Sequence, residues 1–213
     1  MERDLLLDYR NDHGDTVLNI AALNGHIQVV EYLALEVGAD VNVEGFSKRT
    51  PLLQACDNGG QLPIVEFFWK NGADIDREDG EQGCKAIHLA AAFGNVNLVS
   101  FLLNKRPDWL EVKSSKAGRT PLLHAAEAGN LTNCQYLIEE KSANSRATDD
   151  CNGDSALHLA CFVGHINVVT YFANNYARLF DLKDKHGSTP YALAVKQKND
   201  IVVRFLQSRN IRK

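Results

Sequence analysis

Histidine and cysteine are among the residues of this 213-residue chain whose side chains could serve as nucleophiles, bases or metal ligands. The chain has seven histidines and five cysteines. Because the cysteine count is odd, with no CxxC pair and no metal-like spacing to the histidines, we expect free thiols in a reducing compartment and no metal site. The cysteines are Cys56, Cys84, Cys134, Cys151 and Cys161.

Catalysis would require these groups to form a recognisable set. No combination of nucleophile, base and orienting residue can be assembled from the sequence, and no glycine-rich phosphate loop follows a strand. We therefore predict that the chain is not an enzyme and needs no cofactor.

The composition indicates a folded chain, because 45% of the residues are hydrophobic and 23% are charged. No apolar run approaches the ~18 residues of a membrane span. The start, MERDLLLDYR, lacks the basic region of a secretory signal. We expect an intracellular protein without membrane insertion, in the cytoplasm, with the nucleus as the alternative.

The net charge of −4 conceals opposite charges at the two ends. Residues 1–44 hold nine acidic residues and two arginines, a net charge of −7, whereas residues 183–213 hold eight basic and two acidic residues, a net charge of +6. The basic end lacks interleaved aromatic residues and the whole chain is acidic, so nucleic acid is not the expected partner. We expect a monomer, with weak head-to-tail self-association as the alternative.

A short segment recurs six times along the chain and dominates the sequence. The copies are TVLNIAALNG from Thr16, TPLLQACDNG from Thr50, KAIHLAAAFG from Lys85, TPLLHAAEAG from Thr120, SALHLACFVG from Ser155 and TPYALAVKQK from Thr189. Their starts are 34, 35, 35, 35 and 34 residues apart. A fixed period of this size indicates units that bury their apolar faces by stacking on their neighbours, which is a solenoid.

Each unit is predicted to form two helices. Thr or Ser can cap the inner helix, proline suits its first turn, and alanines allow close packing. Glycine at an offset of nine is expected to end it with positive φ, and only the sixth unit departs, with Lys198. The glycines are Gly25, Gly59, Gly94, Gly129 and Gly164. An amphipathic outer helix follows, as in HIQVVEYLALE.

The cysteines take two kinds of position in these units. Cys56 and Cys161 stand in the inner helix and are expected to be small core residues. Cys84 and Cys151 precede a unit, in the turn, and are expected to be more exposed.

The segments TPLLHAAEAGN, SALHLACFVGHINVV and NGADID resemble the ankyrin repeat, whose pattern is DxxGxTPLHxAAxxGHxxVVxxLLxxGADVN. The resemblance implies an all-α ankyrin-repeat solenoid of helix-turn-helix units with protruding β-turn loops, forming one domain over residues 1–213. The implied repeats are approximately 11–44, 45–78, 79–114, 115–149, 150–183 and 184–213. At the TPLH position, His88 and His158 would bond the backbone of the turn.

The resemblance also implies a protein-protein interaction module that binds a partner protein through a concave groove and the turn tips. The alternatives are a regulatory or targeting fragment of a larger protein and a self-associating scaffold with oppositely charged ends. Aromatic residues at solvated positions favour an interface, although these rings could instead pack between repeats. The candidate partner-binding residues are Phe46, Arg49, Asp57, Phe93, Arg119, Glu127, Asp154, Phe162 and Val163.

Overall fold

A computed structural model describes residue 7 and residues 9–211 of the chain. The ends of the predicted domain lie outside these residues, together with six charged residues, namely Glu2, Arg3, Asp4, Asp8, Arg212 and Lys213. Over the described residues the chain forms twelve α-helices and no β-strand, with two isolated β-bridges. The predicted all-α class is confirmed.

The described helices fall into two compact units. Unit 1 runs to Arg106 and includes Ser114–Lys116, and unit 2 comprises Pro107–Lys113 and the chain from Ala117 onward. The helices of unit 1 are α1 (Val17–Leu23), α2 (Ile27–Glu31), α3 (Pro51–Asp57), α4 (Leu62–Lys70), α5 (Ala86–Phe93) and α6 (Val96–Lys105). Those of unit 2 are α7 (Pro121–Glu127), α8 (Leu131–Gln135), α9 (Ala156–Val163), α10 (Ile166–Asn175), α11 (Pro190–Lys196) and α12 (Asp200–Ser208).

Odd-numbered helices are the inner helices of the repeats and even-numbered helices are the outer ones. Each inner helix packs on its own outer helix and on the next inner helix of the same unit. The core of each unit is made of small and branched apolar side chains from these contacts, such as Ala22, Leu52 and Val65 in unit 1. The stacking therefore buries the apolar faces that no single repeat could bury alone.

The inner helices begin as the repeated Thr/Ser-Pro pattern predicts. The hydroxyl of Thr50 accepts from the N–H of Leu53, and those of Thr16, Ser155 and Thr189 cap their helices in the same way. Thr120 departs from the prediction, because its buried hydroxyl makes no capping hydrogen bond. Pro51, Pro121 and Pro190 each occupy the first helical position.

The glycines that follow the inner helices have two different roles. Gly25, Gly59, Gly129 and Gly164 have the predicted positive φ, between 71° and 98°. The prediction is wrong for Gly94, which has φ −80°. A Cβ atom there would lie 2.6 Å from the carbonyl oxygen of Ala90, so the last turn of α5 itself leaves room only for glycine at this position. Lys198 adopts φ 58° without being glycine.

Two outer helices continue as π-helices. α2 continues through Tyr32–Val37, and α8 continues through Tyr136–Glu140. Between the start of the outer helix and the turn that follows it, both of these repeats have one residue more than the repeat that contains α4. The wider π-helical turn accommodates the additional residue. Three short 3₁₀-helices lie between an outer helix and the inner helix that follows it, and they are Phe46–Lys48, Pro107–Glu111 and Ala177–Asp181.

The cysteines only partly follow the expectation. Cys56 and Cys161 are fully buried in the inner helices, and Cys134 is buried as well. Cys151 is exposed, but Cys84 is 3% exposed, so its predicted exposure is wrong. The N–H of Cys84 donates to Asp79 Oδ1 at 3.1 Å, which draws this turn residue inward.

Candidate functional site

Three apolar side chains at the ends of inner helices are exposed to solvent. Phe93 is the last residue of α5 in unit 1 and is 50% exposed. Phe162 and Val163 end α9 in unit 2 and are 46% and 45% exposed. Their helices are otherwise almost wholly buried, so these side chains project from a rigid support.

The end of α9, which carries Phe162 and Val163, is held by hydrogen bonds from the residue just before the next outer helix. Asn199 Nδ2 donates to the carbonyl oxygens of Cys161 at 2.9 Å and Phe162 at 2.8 Å. The ends of two other inner helices are held as well: His165 Nε2 lies 2.8 Å from the carbonyl oxygen of Glu127, and Asn58, which directly follows α3, donates from Nδ2 to the carbonyl oxygen of Leu23 at 3.1 Å. These contacts satisfy carbonyl groups that a helix end leaves open and fix the direction of the last residue.

The turn tips are joined by backbone hydrogen bonds within each unit. In unit 1 the N–H of Gly80 donates to Ser47 O at 2.5 Å, and in unit 2 the N–H of Lys185 donates to Asn152 O at 2.8 Å. The tip residue Phe46 is 47% exposed, and its ring meets that of His13 edge-on, with centroids 5.9 Å apart. Consecutive tips are therefore held in a fixed spacing.

Arg49 is occupied by ion pairs within unit 1. Its guanidinium contacts Asp57 at the end of α3 and lies 3.4 Å from Asp79 Oδ2 in the next turn. Its side chain is only 14% exposed. The structure thus places the predicted partner-binding pair Arg49 and Asp57 in a contact that ties one turn to the next.

Arg119 has the same arrangement in unit 2. Its Nη1 donates to Glu127 Oε2 at 2.6 Å, and its Nε lies 3.3 Å from Asp149 Oδ2. The Asp149 side chain is completely buried, and its Oδ1 accepts the N–H groups of the following turn. Arg119 and Glu127, which were predicted to bind a partner, therefore serve this internal network.

Asp154 lies in the interior and away from solvent. It is 7% exposed, and its Oδ1 has no hydrogen-bond partner. Burial raises the pKa of its carboxyl above the ordinary value, and the negative charge of Asp149 raises it further. Of the nine predicted residues, Asp154 is the one that the structure buries most deeply.

His158 bonds turn backbone, as predicted for the TPLH position. Its Nδ1 accepts from the N–H of Ser155 at 3.3 Å, and its Nε2 lies 3.1 Å from the carbonyl oxygen of Ser188 in the next turn. Asn19 replaces histidine in the first repeat and makes equivalent bonds to Thr16 and Arg49. Both side chains are fully buried, so their role is to hold neighbouring turns together.

The structure therefore divides the nine candidates into two groups. Four apolar residues are exposed, with Phe46 and Phe93 in unit 1 and Phe162 and Val163 in unit 2. The five charged residues are paired or buried, and they are Arg49, Asp57, Arg119, Glu127 and Asp154. The sequence analysis did not identify Asn199 and His165 as residues that hold helix ends. Their positions directly after Lys198 and Gly164, the residues with positive φ that follow the inner helices, could have indicated this role.

The helical repeats also match known families. A family described as ankyrin repeats in three copies matches residues 52–149 and 141–213, and the single ankyrin repeat matches residues 13–45. The chain belongs to the ankyrin-repeat family. Ankyrin repeats are in general non-catalytic protein-interaction modules.

Relatives carry this ankyrin-repeat region inside much longer proteins. The chain is 30% identical over 208 residues to human transient receptor potential cation channel subfamily A member 1, covering 90% of this chain and 17% of that protein. It is 30% identical over 195 residues to the Caenorhabditis elegans homolog, covering 91% and 15%. It is 27% identical over 191 residues to the zebrafish putative palmitoyltransferase ZDHHC13, covering 90% and 29%. The chain thus spans less than a third of each of these relatives.

Among the described residues, no helix is both long enough and apolar enough to cross a membrane.

Proposed function

We propose that this ankyrin-repeat chain binds a partner protein, and that the exposed apolar ends of its inner helices are the anchors of the contact. The observation that carries the proposal is the exposure of Phe93 in unit 1 and of Phe162 and Val163 in unit 2. Aromatic side chains, phenylalanine included, are enriched at protein interfaces relative to the rest of the protein surface.

The mechanism is recognition by a preformed surface. Asn199 fixes the end of α9 through the carbonyl oxygen of Phe162, and backbone hydrogen bonds hold neighbouring tips. Since the anchors are already ordered, a partner loses little affinity to the cost of ordering them. Phe46 extends the unit 1 surface to a turn tip.

The charged candidates act indirectly in this proposal. Arg49 and Arg119 hold each turn against the following one through Asp79 and Asp149. They position the anchors and do not themselves meet the partner. We propose accordingly that the chain is not an enzyme, and we place it in the cytoplasm or nucleus of the cell.

The relatives support a second candidate function, in which the chain is a regulatory or targeting part of a larger protein. The supporting observation is that it spans 15% to 17% of the two transient receptor potential relatives. In that case the anchors bind a regulator of the longer protein, or another part of it.

The test is a capture experiment that compares the wild-type chain with Phe93→Ala and with a Phe162→Ala, Val163→Ala variant. Ile201→Ala is the matched control, because Ile201 is 71% exposed and lies on an outer helix away from the inner-helix ends. A protein retained by wild type and control but lost from an anchor variant supports the proposal. A partner retained by all four chains, with equal thermal melts by circular dichroism, contradicts it.

A further inference from the structure

The first and last repeats expose side chains that other repeats bury. Val29 of α2 is 42% exposed, whereas its equivalents Ile64 and Val168 are 1% and 0% exposed. In the last repeat, Val195 of α11 is 47% exposed, whereas its equivalents Cys56 and Cys161 are completely buried. These differences identify two uncovered stacking faces.

The neighbour that covers each position follows from a comparison of the two ends. Val202 in the last repeat has the same position as Val29 but is completely buried, so the preceding repeat covers this position. Ala22 in the first repeat has the same position as Val195 and is also completely buried, so the following repeat covers that one. Among the described residues, the first repeat thus lacks a preceding neighbour and the last repeat lacks a following one.

We call the first surface the leading face and define it by Ile20, Val29, Glu31 and Tyr32. Tyr32 is 58% exposed, and Ile20 is half-buried where its equivalent Leu193 is 7% exposed. Glu31 is exposed between Val29 and Tyr32, and Glu36 and Asp40 follow it as exposed acids. The leading face is therefore apolar with an acidic margin.

The trailing face is defined by Ala192, Val195, Lys196 and Val203. Ala192 is exposed where its equivalent Asn19 is completely buried, and Val203 is half-buried where Val30 is completely buried. Lys196 directly follows Val195. Exposed Lys198, Arg204 and Arg209 surround these positions in the sequence. The trailing face is therefore apolar with a basic margin.

We propose that the leading face of one copy stacks on the trailing face of a second copy, as the following repeat would. Both faces have the side chains that bury one another between repeats within a unit, and their margins carry opposite charges. Because the two faces differ, the contact is heterologous, so it leaves a free face at each end and extends into open chains. This association is independent of the anchors at the inner-helix ends.

The test is sedimentation equilibrium of the full chain over a series of protein concentrations. At about 0.01 M salt, where the Debye length is about 30 Å, the average mass should rise with concentration beyond twice the 23.6 kDa of one chain. At about 1 M salt the charged margins are screened, and the average mass should fall. A mass of one chain at every concentration in low salt overturns the proposal and would leave a further repeat as the occupant of these faces.

Two variants test the direction of stacking. Val29→Glu damages the leading face and Val195→Glu damages the trailing face, so each alone should stay monomeric. Mixed in equal amounts, they should form a dimer that grows no further, because each supplies one intact face. Ile201→Glu is the control and should associate like wild type, since its equivalents Gln28, Pro63 and Thr132 are also exposed. Dimers of either variant alone, or a mixture that stays monomeric, would refute head-to-tail stacking.

Discussion

Arg119 and Glu127 form an ion pair of 2.6 Å that joins the residue before the N-cap of α7 to the last residue of that helix. The same guanidinium lies 3.3 Å from the buried carboxylate of Asp149 in the following turn. Arg49 repeats this arrangement in unit 1 with Asp57 and Asp79. In both units, therefore, an arginine just before an inner helix holds two successive turns together.

Removal of Arg119 should cost more stability than removal of Glu127. Arg119→Ala leaves the buried Asp149 carboxylate without this charged partner, and we expect the free energy of unfolding to fall by about 1–3 kcal/mol. Glu127→Ala removes a pair whose acid is 32% exposed and should cost less than about 1 kcal/mol. Urea denaturation of both variants checks this order. Equal losses would mean that the contact with Asp149 contributes nothing.

The buried imidazole of His158 should contribute to the stability of unit 2. His158→Ala removes the bonds to Ser155 and to the carbonyl oxygen of Ser188, and we expect a loss of about 1–3 kcal/mol. His186, exposed at a turn tip, provides the matched control, and His186→Ala should change the free energy of unfolding by less than about 0.5 kcal/mol. Chemical denaturation of the two variants side by side makes the comparison. If His158→Ala proves as stable as the control, its hydrogen bonds are not what ties these turns together.

The sequence predicts the elements better than it predicts the surface. The caps at Thr50 and Ser155 follow from local chemistry, so the helix starts were predictable. The backbone of Gly94 was not, because a close approach to Ala90 decides it and the spacing alone suggested positive φ. Likewise, the residue type of Arg49 indicates a charge but not the partners Asp57 and Asp79, which only the stacking brings within reach.

Thiol labelling should separate Cys151 from the other cysteines. Burial raises the pKa of Cys134 to about 12 and raises those of Cys56 and Cys161 as well, so these thiols stay protonated and unreactive at pH 8. Cys151 is exposed and should react first with a disulfide reagent. The native chain should show one fast thiol, and Cys151→Ser should abolish that phase. A second fast thiol in the native chain would mean that a buried cysteine is accessible.

Asp154 should lower stability at neutral pH. Burial raises the pKa of its carboxyl in the folded chain above the ordinary 3.8, so the folded state holds its proton more tightly than the unfolded state. Stability contributed by this group therefore falls as pH rises from about 3.8 through the folded pKa. Asp154→Asn should raise the free energy of unfolding at pH 7, because the amide carries no charge to bury.

The pH dependence distinguishes this effect from a simple change in packing. The advantage of Asp154→Asn should shrink as pH falls through the folded pKa and should be lost below 3.8, where Asp154 is protonated in both states. Denaturation curves at several pH values check this. An advantage that is constant over pH would argue for packing, and a loss of stability at pH 7 would contradict the assignment of Asp154 as a strained buried charge.

The central claim, that apolar side chains at the inner-helix ends anchor a partner protein, is tested most directly by affinity. Once a partner has been isolated, its dissociation constant is measured for wild type, Phe93→Ala, Phe162→Ala and the control Ile201→Ala. We predict that at least one anchor variant binds about tenfold or more weakly, which is about 1.4 kcal/mol, with an unchanged melting temperature. Equal affinities of all four chains, or a weakening that appears only with a lowered melting temperature, would contradict the claim.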